Sequence, residues 1–156
     1  MKILLIEDDD EKLRDIVEFL EDLHTFGEIV TAKSLHTGKE SALAGDIDVI
    51  LLDMTMRNFE RSPSEEGGRP HAFAGREILR LMRRERAKTP VIVVTQFDRF
   101  GDEDDFRTLG DLKAELADRF GNYVGTVHYR ANVDTWRGEL QQLLELAKFT
   151  KAARND

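Results

Sequence analysis

The chain has 156 residues, enough for one domain with a core of its own but not for two. It contains no cysteine, which excludes disulfides, thiolate catalysis and cysteine-ligated zinc. With 31 acidic against 23 basic residues its net charge is −8, which disfavours direct contact with a phosphate backbone, so nucleic acid is not expected as a partner. No apolar stretch approaches the roughly 18 residues that span a bilayer, and the N-terminus has strand rather than signal-peptide character. The expectation is a cytoplasmic protein with no membrane partner.

Short apolar runs alternate with longer stretches of helical period, the pattern of a βα repeat with a parallel sheet. Ile3-Leu4-Leu5-Ile6 reads as a buried first strand and is followed at once by Glu7-Asp8-Asp9. From Asp10 to Leu23 the chain places Leu13, Ile16, Val17 and Leu20 on one helical face. Glu28–Ala32 is a half-polar second strand, and Ser34 is the expected N-cap of a short helix reaching Leu43. The third strand, Val49-Ile50-Leu51-Leu52, ends on Asp53.

A long polar passage follows, with Pro63, Gly67, Gly68 and Pro70 and no clear period, so 57–74 reads as an inserted loop. Gly75 to Arg86 is expected to form a third helix with Ile78, Leu79 and Met82 inward, and Val91-Ile92-Val93-Val94 a fourth strand ending on Thr95. A long acidic-headed helix is expected from Asp102 to Phe120, where carboxylates suit the N-terminal dipole end. Tyr123–Tyr129 is the fifth strand. A last helix from Val133 to Phe149 would present Val133, Trp136, Leu140, Leu143, Leu144 and Ala147 inward, before a polar, fraying tail over 151–156. The fold class is α/β, one domain over 1–150.

If the strands lie side by side and parallel, Glu7, Asp8, Asp53 and Thr95 meet at one edge of the sheet, where ligands bind in open α/β folds. Clustered carboxylates repel one another, and a hard cation such as Mg²⁺ relieves the repulsion through oxygen ligands.

On these residues, the acidic pair Glu7-Asp8 after the first strand, Asp53 ending the third and Thr95 ending the fourth, the chain resembles the CheY-like receiver domain of two-component response regulators. The likeness runs from Lys2 to about Phe149 and implies a doubly wound five-stranded parallel sheet of flavodoxin-like (βα)5 type. It implies that Asp53 is the phosphoacceptor. Glu7 and Asp8 would hold Mg²⁺ together with Asp53 and the backbone carbonyl of Thr55, and the Thr95 hydroxyl would hydrogen-bond a phosphoryl oxygen. By the same resemblance the chain is no enzyme toward a separate substrate, though it would assist its own phosphorylation and dephosphorylation. Its partners would be a sensor histidine kinase or phosphotransfer protein as donor, and an output protein that docks on helix four, strand five and helix five. It is expected to stand alone, without an attached output domain.

The sequence also departs from the family. Receivers carry a lysine after the fifth strand, whereas this chain has none between Lys113 and Lys148. The corresponding loop is Tyr129-Arg130-Ala131-Asn132, so Arg130 is the candidate phosphate-pairing cation there, and arginine is not equivalent to lysine at a tight site. Tyr129 is a candidate switch aromatic, with Tyr123 and His128 equally placed. Gln96 and Phe97 follow Thr95 where the family has a small residue. The alternative is therefore a pseudo-receiver that keeps the fold and the acidic pocket and binds proteins independently of phosphorylation.

Overall fold

The computed structural model describes residues 1–59 and 70–155. Its centre is one five-stranded sheet formed by β1 (Lys2–Ile6), β2 (Glu28–Ala32), β3 (Val49–Leu52), β6 (Val91–Thr95) and β9 (Tyr123–His128). The strand order is β2-β1-β3-β6-β9 and every pairing is parallel. The three middle strands β1, β3 and β6 are buried along almost their whole length, because both faces are covered by helices. The edge strands β2 and β9 are mostly half-buried, in keeping with their mixed composition.

Side chains alternate between two cores, as the two-residue period of a strand requires. Leu4, Ile6, Ile50, Leu52, Val91 and Val93 pack with α2 (Leu35–Ala42), α3 (Ala74–Arg84) and α4 (Leu109–Arg119) on one face. Ile3, Leu5, Val49, Leu51, Ile92 and Val94 pack with α1 (Asp10–Asp22) and α5 (Thr135–Asn155) on the other. Trp136 lies in this second core, edge-on to Phe19 at 5.5 Å. The sequence placed Val133 on the same face, but it precedes α5 and is exposed.

The starts of α1, α2 and α3 have local causes. The Asp9 carboxylate accepts the Lys12 N–H at 3.0 Å, and Ser34 Oγ accepts the Thr37 N–H at 3.1 Å, so both caps satisfy backbone donors that the first turn leaves over. α3 has no side-chain cap; the Gly75 N–H donates to Met54 O at 3.0 Å instead, which ties the helix directly to the end of β3.

Two excursions leave the sheet at its C-terminal edge. After β3, β4 (Met56–Arg57) pairs antiparallel with β5 (Pro70–His71), so described residues on both sides of 60–69 form a short ribbon, while 60–69 themselves lie outside the described residues. After β6, β7 (Arg99–Asp102) and β8 (Asp105–Thr108) form a hairpin. This corrects the expected helix from Asp102 to Phe120: the helix begins only at Leu109, where Thr108 and Asp111 form a reciprocal capping box. The acidic residues after Gly101, expected to sit at a helix N-terminus, belong to the hairpin and its turn. α5 continues through Asn155, into the stretch where composition suggested a fraying tail.

Candidate functional site

Register carries the acidic residues to one place. Ile6 lies opposite Leu52 across the β1–β3 pair, so Glu7 and Asp53 follow on neighbouring strand tips, and the Asp53 N–H donates to Ile6 O at 3.0 Å. The alternation Ile3, Leu5, Glu7 and Val49, Leu51, Asp53 directs both carboxylates toward the face that α1 covers. Leu52 lies opposite Val93, which sets Thr95, the last residue of β6, at the same edge. Oxygens of Glu7, Asp8 and Asp53 lie within 4.8 Å of one another. The cleft in front of them holds about 430 Å³ and is lined by Asp8, Asp9, Asp53, Thr55, Arg57, Gln96 and Phe97, among others.

Asp53 is 3% exposed. Its Oδ1 accepts the Met54 N–H at 2.8 Å and faces Lys12 Nζ at 3.3 Å. Neither contact uses Oδ2. Glu7 is fully enclosed: Oε1 accepts the Asp9 N–H at 3.1 Å and Oε2 meets Lys12 Nζ at 2.5 Å. Asp8 Oδ2 accepts the Arg57 N–H at 3.0 Å, with the Arg57 guanidinium at 4.0 Å. Thr55 turns its hydroxyl to Ala72 O at 3.1 Å. Thr95 is buried, and its Oγ1 accepts the Phe97 N–H at 3.2 Å.

The electrostatics follow from burial and from like charges held together. Asp8 is raised from the ordinary carboxylate value to about 6, first by burial and then by the charge on Asp53. Burial also raises Glu7, against the opposing attraction of Lys12. Burial pulls Lys12 downward, but Asp53 and then Glu7 outweigh it and hold the lysine above its ordinary value. We take Lys12 as an ammonium and its contact with Glu7 as an ion pair, because Nζ is ringed by three oxygen acceptors and has no role for a lone pair.

Lys12 is the residue that the sequence analysis overlooked. It is the third residue of α1, 1% exposed, and besides Glu7 and Asp53 it donates to Val94 O at 2.8 Å. Its signal was present in the helical period: Lys12, Ile16 and Leu20 form the buried stripe of α1, so a lysine occupies an inward position where an apolar residue would serve packing better. Helical side chains lean toward the N-terminus, which carries this one back over the strand tips.

Arg130, by contrast, is exposed and lies outside the lining of the cleft. Tyr129 points inward instead, with its hydroxyl donating to Asp15, its ring 5.2 Å from Trp136, and Lys12 Nζ 5.9 Å from its ring centre. Arg57 is a second residue the motifs did not disclose, since only the β4–β5 ribbon brings it beside Asp8.

A five-stranded parallel α/β sheet with carboxylates on the tips of β1 and β3 and a threonine on the tip of β6 is the architecture of a receiver. The family model of the response regulator receiver domain matches residues 3–114, and the chain belongs to this family of two-component signalling domains. It is 35% identical over 141 residues to the uncharacterized protein y4jR of Sinorhizobium fredii, covering 88% of this chain and 92% of that one. It is 29% identical over 143 residues to the Detocs response regulatory protein DtcB of Enterobacter cloacae, covering 90% and 95%. Among solved structures it is similar to a CheY-like receiver domain protein from Methanospirillum hungatei, with TM-score 0.62, 18% identity and 97% of each chain covered. It is also similar to the response regulator TrrA of Thermotoga maritima in complex with Mg²⁺ and BeF, with TM-score 0.56, 16% identity and 91% and 97% covered. At these identities the structural likeness shows the fold. Among the described residues, no helix is long and apolar enough to cross a membrane.

Proposed function

We propose that the protein is a cytoplasmic phosphoacceptor that takes a phosphoryl group on Asp53 from a phosphohistidine of a sensor kinase or phosphotransfer protein. It would then signal by contact with an output protein through the surface of α4, β9 and α5. The observation that carries this reading is the state of Asp53: a nearly buried carboxylate with one oxygen engaged by Met54 and Lys12, set at the floor of a cleft.

Asp53 Oδ2 is the nucleophile. It attacks phosphorus in line with the leaving nitrogen; the O–P bond forms as the P–N bond breaks, the electron pair stays on the imidazole nitrogen, and the product is an acyl phosphate. The donor set fits Mg²⁺, since Glu7, Asp8, Asp53 and the Thr55 carbonyl offer only oxygen, and three of them already bring carboxylate oxygens within 4.8 Å. When bound, Mg²⁺ neutralises charge on the attacking and transferred oxygens. Asp8 is held by the Arg57 N–H and so is oriented before any ligand arrives. Thr95 Oγ1 accepts the Phe97 N–H through a lone pair, so its O–H can donate to a phosphoryl oxygen, and a rotation of the side chain toward that oxygen would loosen the start of the β6–β7 connection.

The test is intact mass after incubation with Mg²⁺ and phosphoramidate, with Asp53→Asn as control. A phosphoryl adduct on the wild type and none on Asp53→Asn is the expected result. An adduct of equal yield on both would remove Asp53 from the role. The second reading, a pseudo-receiver that binds partners independently of phosphorylation, is favoured by the exposed position of Arg130, which leaves the loop after β9 without a cation at the cleft.

A further inference from the structure

The absence of a lysine from the loop after β9 and the presence of one buried lysine on α1 are two halves of one observation. We infer that Lys12 is the cation that pairs with the phosphoryl group on Asp53, so that a task the family assigns to the β9 loop is performed here from the first turn of α1. The inference rests on the reading of Asp53 as phosphoacceptor.

Three costs accumulate at Lys12. A cation in the first turn opposes the helix dipole. Removing an ammonium from water is expensive, and a buried ion pair of this kind is often no more stable than an apolar pair of the same volume. The position itself continues the apolar stripe of Ile16 and Leu20, where a methionine or leucine would pack without any of these penalties. Lys12 is the one buried Lys or Arg among the described residues, and it sits 3.3 Å from the proposed phosphoacceptor. Packing does not account for that combination.

The geometry also suits the exchange of partners that phosphorylation demands. An ammonium has three N–H donors. Two are held by short contacts, to Glu7 Oε2 at 2.5 Å and Val94 O at 2.8 Å, and the third faces Asp53 Oδ1 at the longest of the three distances, 3.3 Å. Once Oδ2 carries the phosphoryl group, the carboxylate charge of Asp53 is lost to the acyl linkage, and about two negative charges appear on the phosphoryl oxygens. The third donor then exchanges a neutralised oxygen for an anionic one by a small rotation of the lysine stem, while Glu7 and Val94 hold the nitrogen in place. Tyr129 is turned onto Asp15 and Trp136 and Arg130 is exposed, so neither residue competes for this position.

The experiment compares the full chain with Lys12→Met, with Lys12→Gln, which removes the charge but keeps a polar group within reach of Glu7 and Val94, and with Arg130→Ala. Mg²⁺ is titrated first and beryllofluoride, a tetrahedral phosphoryl mimic, is added to the Mg²⁺-loaded protein. Both affinities are read by calorimetry, which does not depend on the residue that is replaced. Adduct formation with phosphoramidate is followed by mass in parallel.

Removing a positive charge beside the carboxylates should tighten Mg²⁺ binding by Lys12→Met. The same change should weaken beryllofluoride binding and slow adduct formation by roughly 10- to 100-fold, the worth of one charge-assisted hydrogen bond. A purely structural lysine would move both affinities in the same direction, because its loss would disorder the whole site. Opposite movements in the two lysine variants, with Arg130→Ala unchanged, support the inference. Retention of beryllofluoride affinity and adduct rate in Lys12→Met, or a parallel fall of Mg²⁺ and beryllofluoride affinities in both lysine variants, overturns it. A wild type that takes neither the adduct nor the mimic defeats the phosphoacceptor reading itself, and this inference with it, a result distinct from failure in the variants alone.

Discussion

Gly75 is the position where the fold and the site press hardest on each other, and Gly75→Ala measures that pressure. A Cβ at this residue would stand 2.6 Å from Asp53 O and 3.0 Å from Met54 Cα, well inside the roughly 3.5 Å at which heavy atoms attract. Both neighbours are backbone, so neither can rotate away; α3 must retreat from the end of β3, stretching the 3.0 Å bond from the Gly75 N–H to Met54 O. Overpacking of this kind costs about 1–3 kcal/mol, and a weakened backbone hydrogen bond about 1 kcal/mol. Helix propensity acts the other way, since alanine exceeds glycine by at most about 1 kcal/mol, and by less in a first turn. The net expectation is destabilisation by about 1–3 kcal/mol, a fall in melting temperature of roughly 3–10 °C for a chain of this size. Thermal unfolding followed by circular dichroism reads the first effect, and Mg²⁺ titration by calorimetry reads the displacement of Asp53 as weaker binding. An alanine variant as stable as the wild type, or more so, would show that helix propensity dominates and that the close approach of α3 to Asp53 is not tight.

Gly125→Ala provides the contrast: its Cβ would meet Leu143 Cδ2 at 2.8 Å, but that is the end of a flexible side chain at the protein's periphery, so a loss below about 1 kcal/mol is expected, and a loss equal to that of Gly75→Ala would contradict the distinction between backbone and side-chain neighbours. Asp8 should make Mg²⁺ binding depend on pH, because its value of about 6 leaves roughly one molecule in eleven deprotonated at pH 5 and nearly all at pH 7.5. Affinity should therefore rise about tenfold across that interval, and a flat profile by calorimetry would show that Asp8 does not lose a proton to the metal. The sign for folding is opposite: the folded-state value lies above the unfolded one, so without Mg²⁺ the contribution of Asp8 to stability is greatest below pH 4 and is lost as pH rises through 6. Phe100, buried in the β7–β8 hairpin and packed against Phe73 at 6.4 Å, should behave as a core residue, with Phe100→Ala costing about 3–5 kcal/mol in urea unfolding; a cost under 1 kcal/mol would mean the hairpin is not part of the core.

The middle strands were legible because burial on both faces turns them into unbroken apolar runs, and their ends were legible because Glu7-Asp8, Asp53 and Thr95 interrupt those runs abruptly. α2 could be placed by Ser34 alone, whose hydroxyl performs the capping that its position suggested. The stretch 102–108 was misread because acidic residues suit both a helix N-terminus and a hairpin turn, and charge alone does not separate the two. The sign that does separate them is Thr108-x-x-Asp111, a capping signature that begins six residues beyond Asp102. Lys12 was missed for another reason. A carboxylate at a strand end announces itself, whereas a lysine among helix charges is ordinary until the docking of α1 brings it against Glu7 and Asp53, and that contact exists only in three dimensions.

The β7–β8 hairpin closes on itself. The Leu109 N–H donates to Asp98 O at 2.9 Å, so the chain leaves and rejoins its course at nearly the same point, and the excursion adds residues without altering the separation of β6 from α4. Its tip, from Gly101 in a left-handed conformation (φ 97°) through Asp104, is exposed. Because loop length enters stability only logarithmically, at about 0.6 kcal/mol per doubling, a foreign peptide spliced between Glu103 and Asp104 should be carried at little cost. That makes the tip a grafting point for a fluorescent or affinity label, anchored by Phe100 and set on a turn whose lengthening leaves the sheet in register.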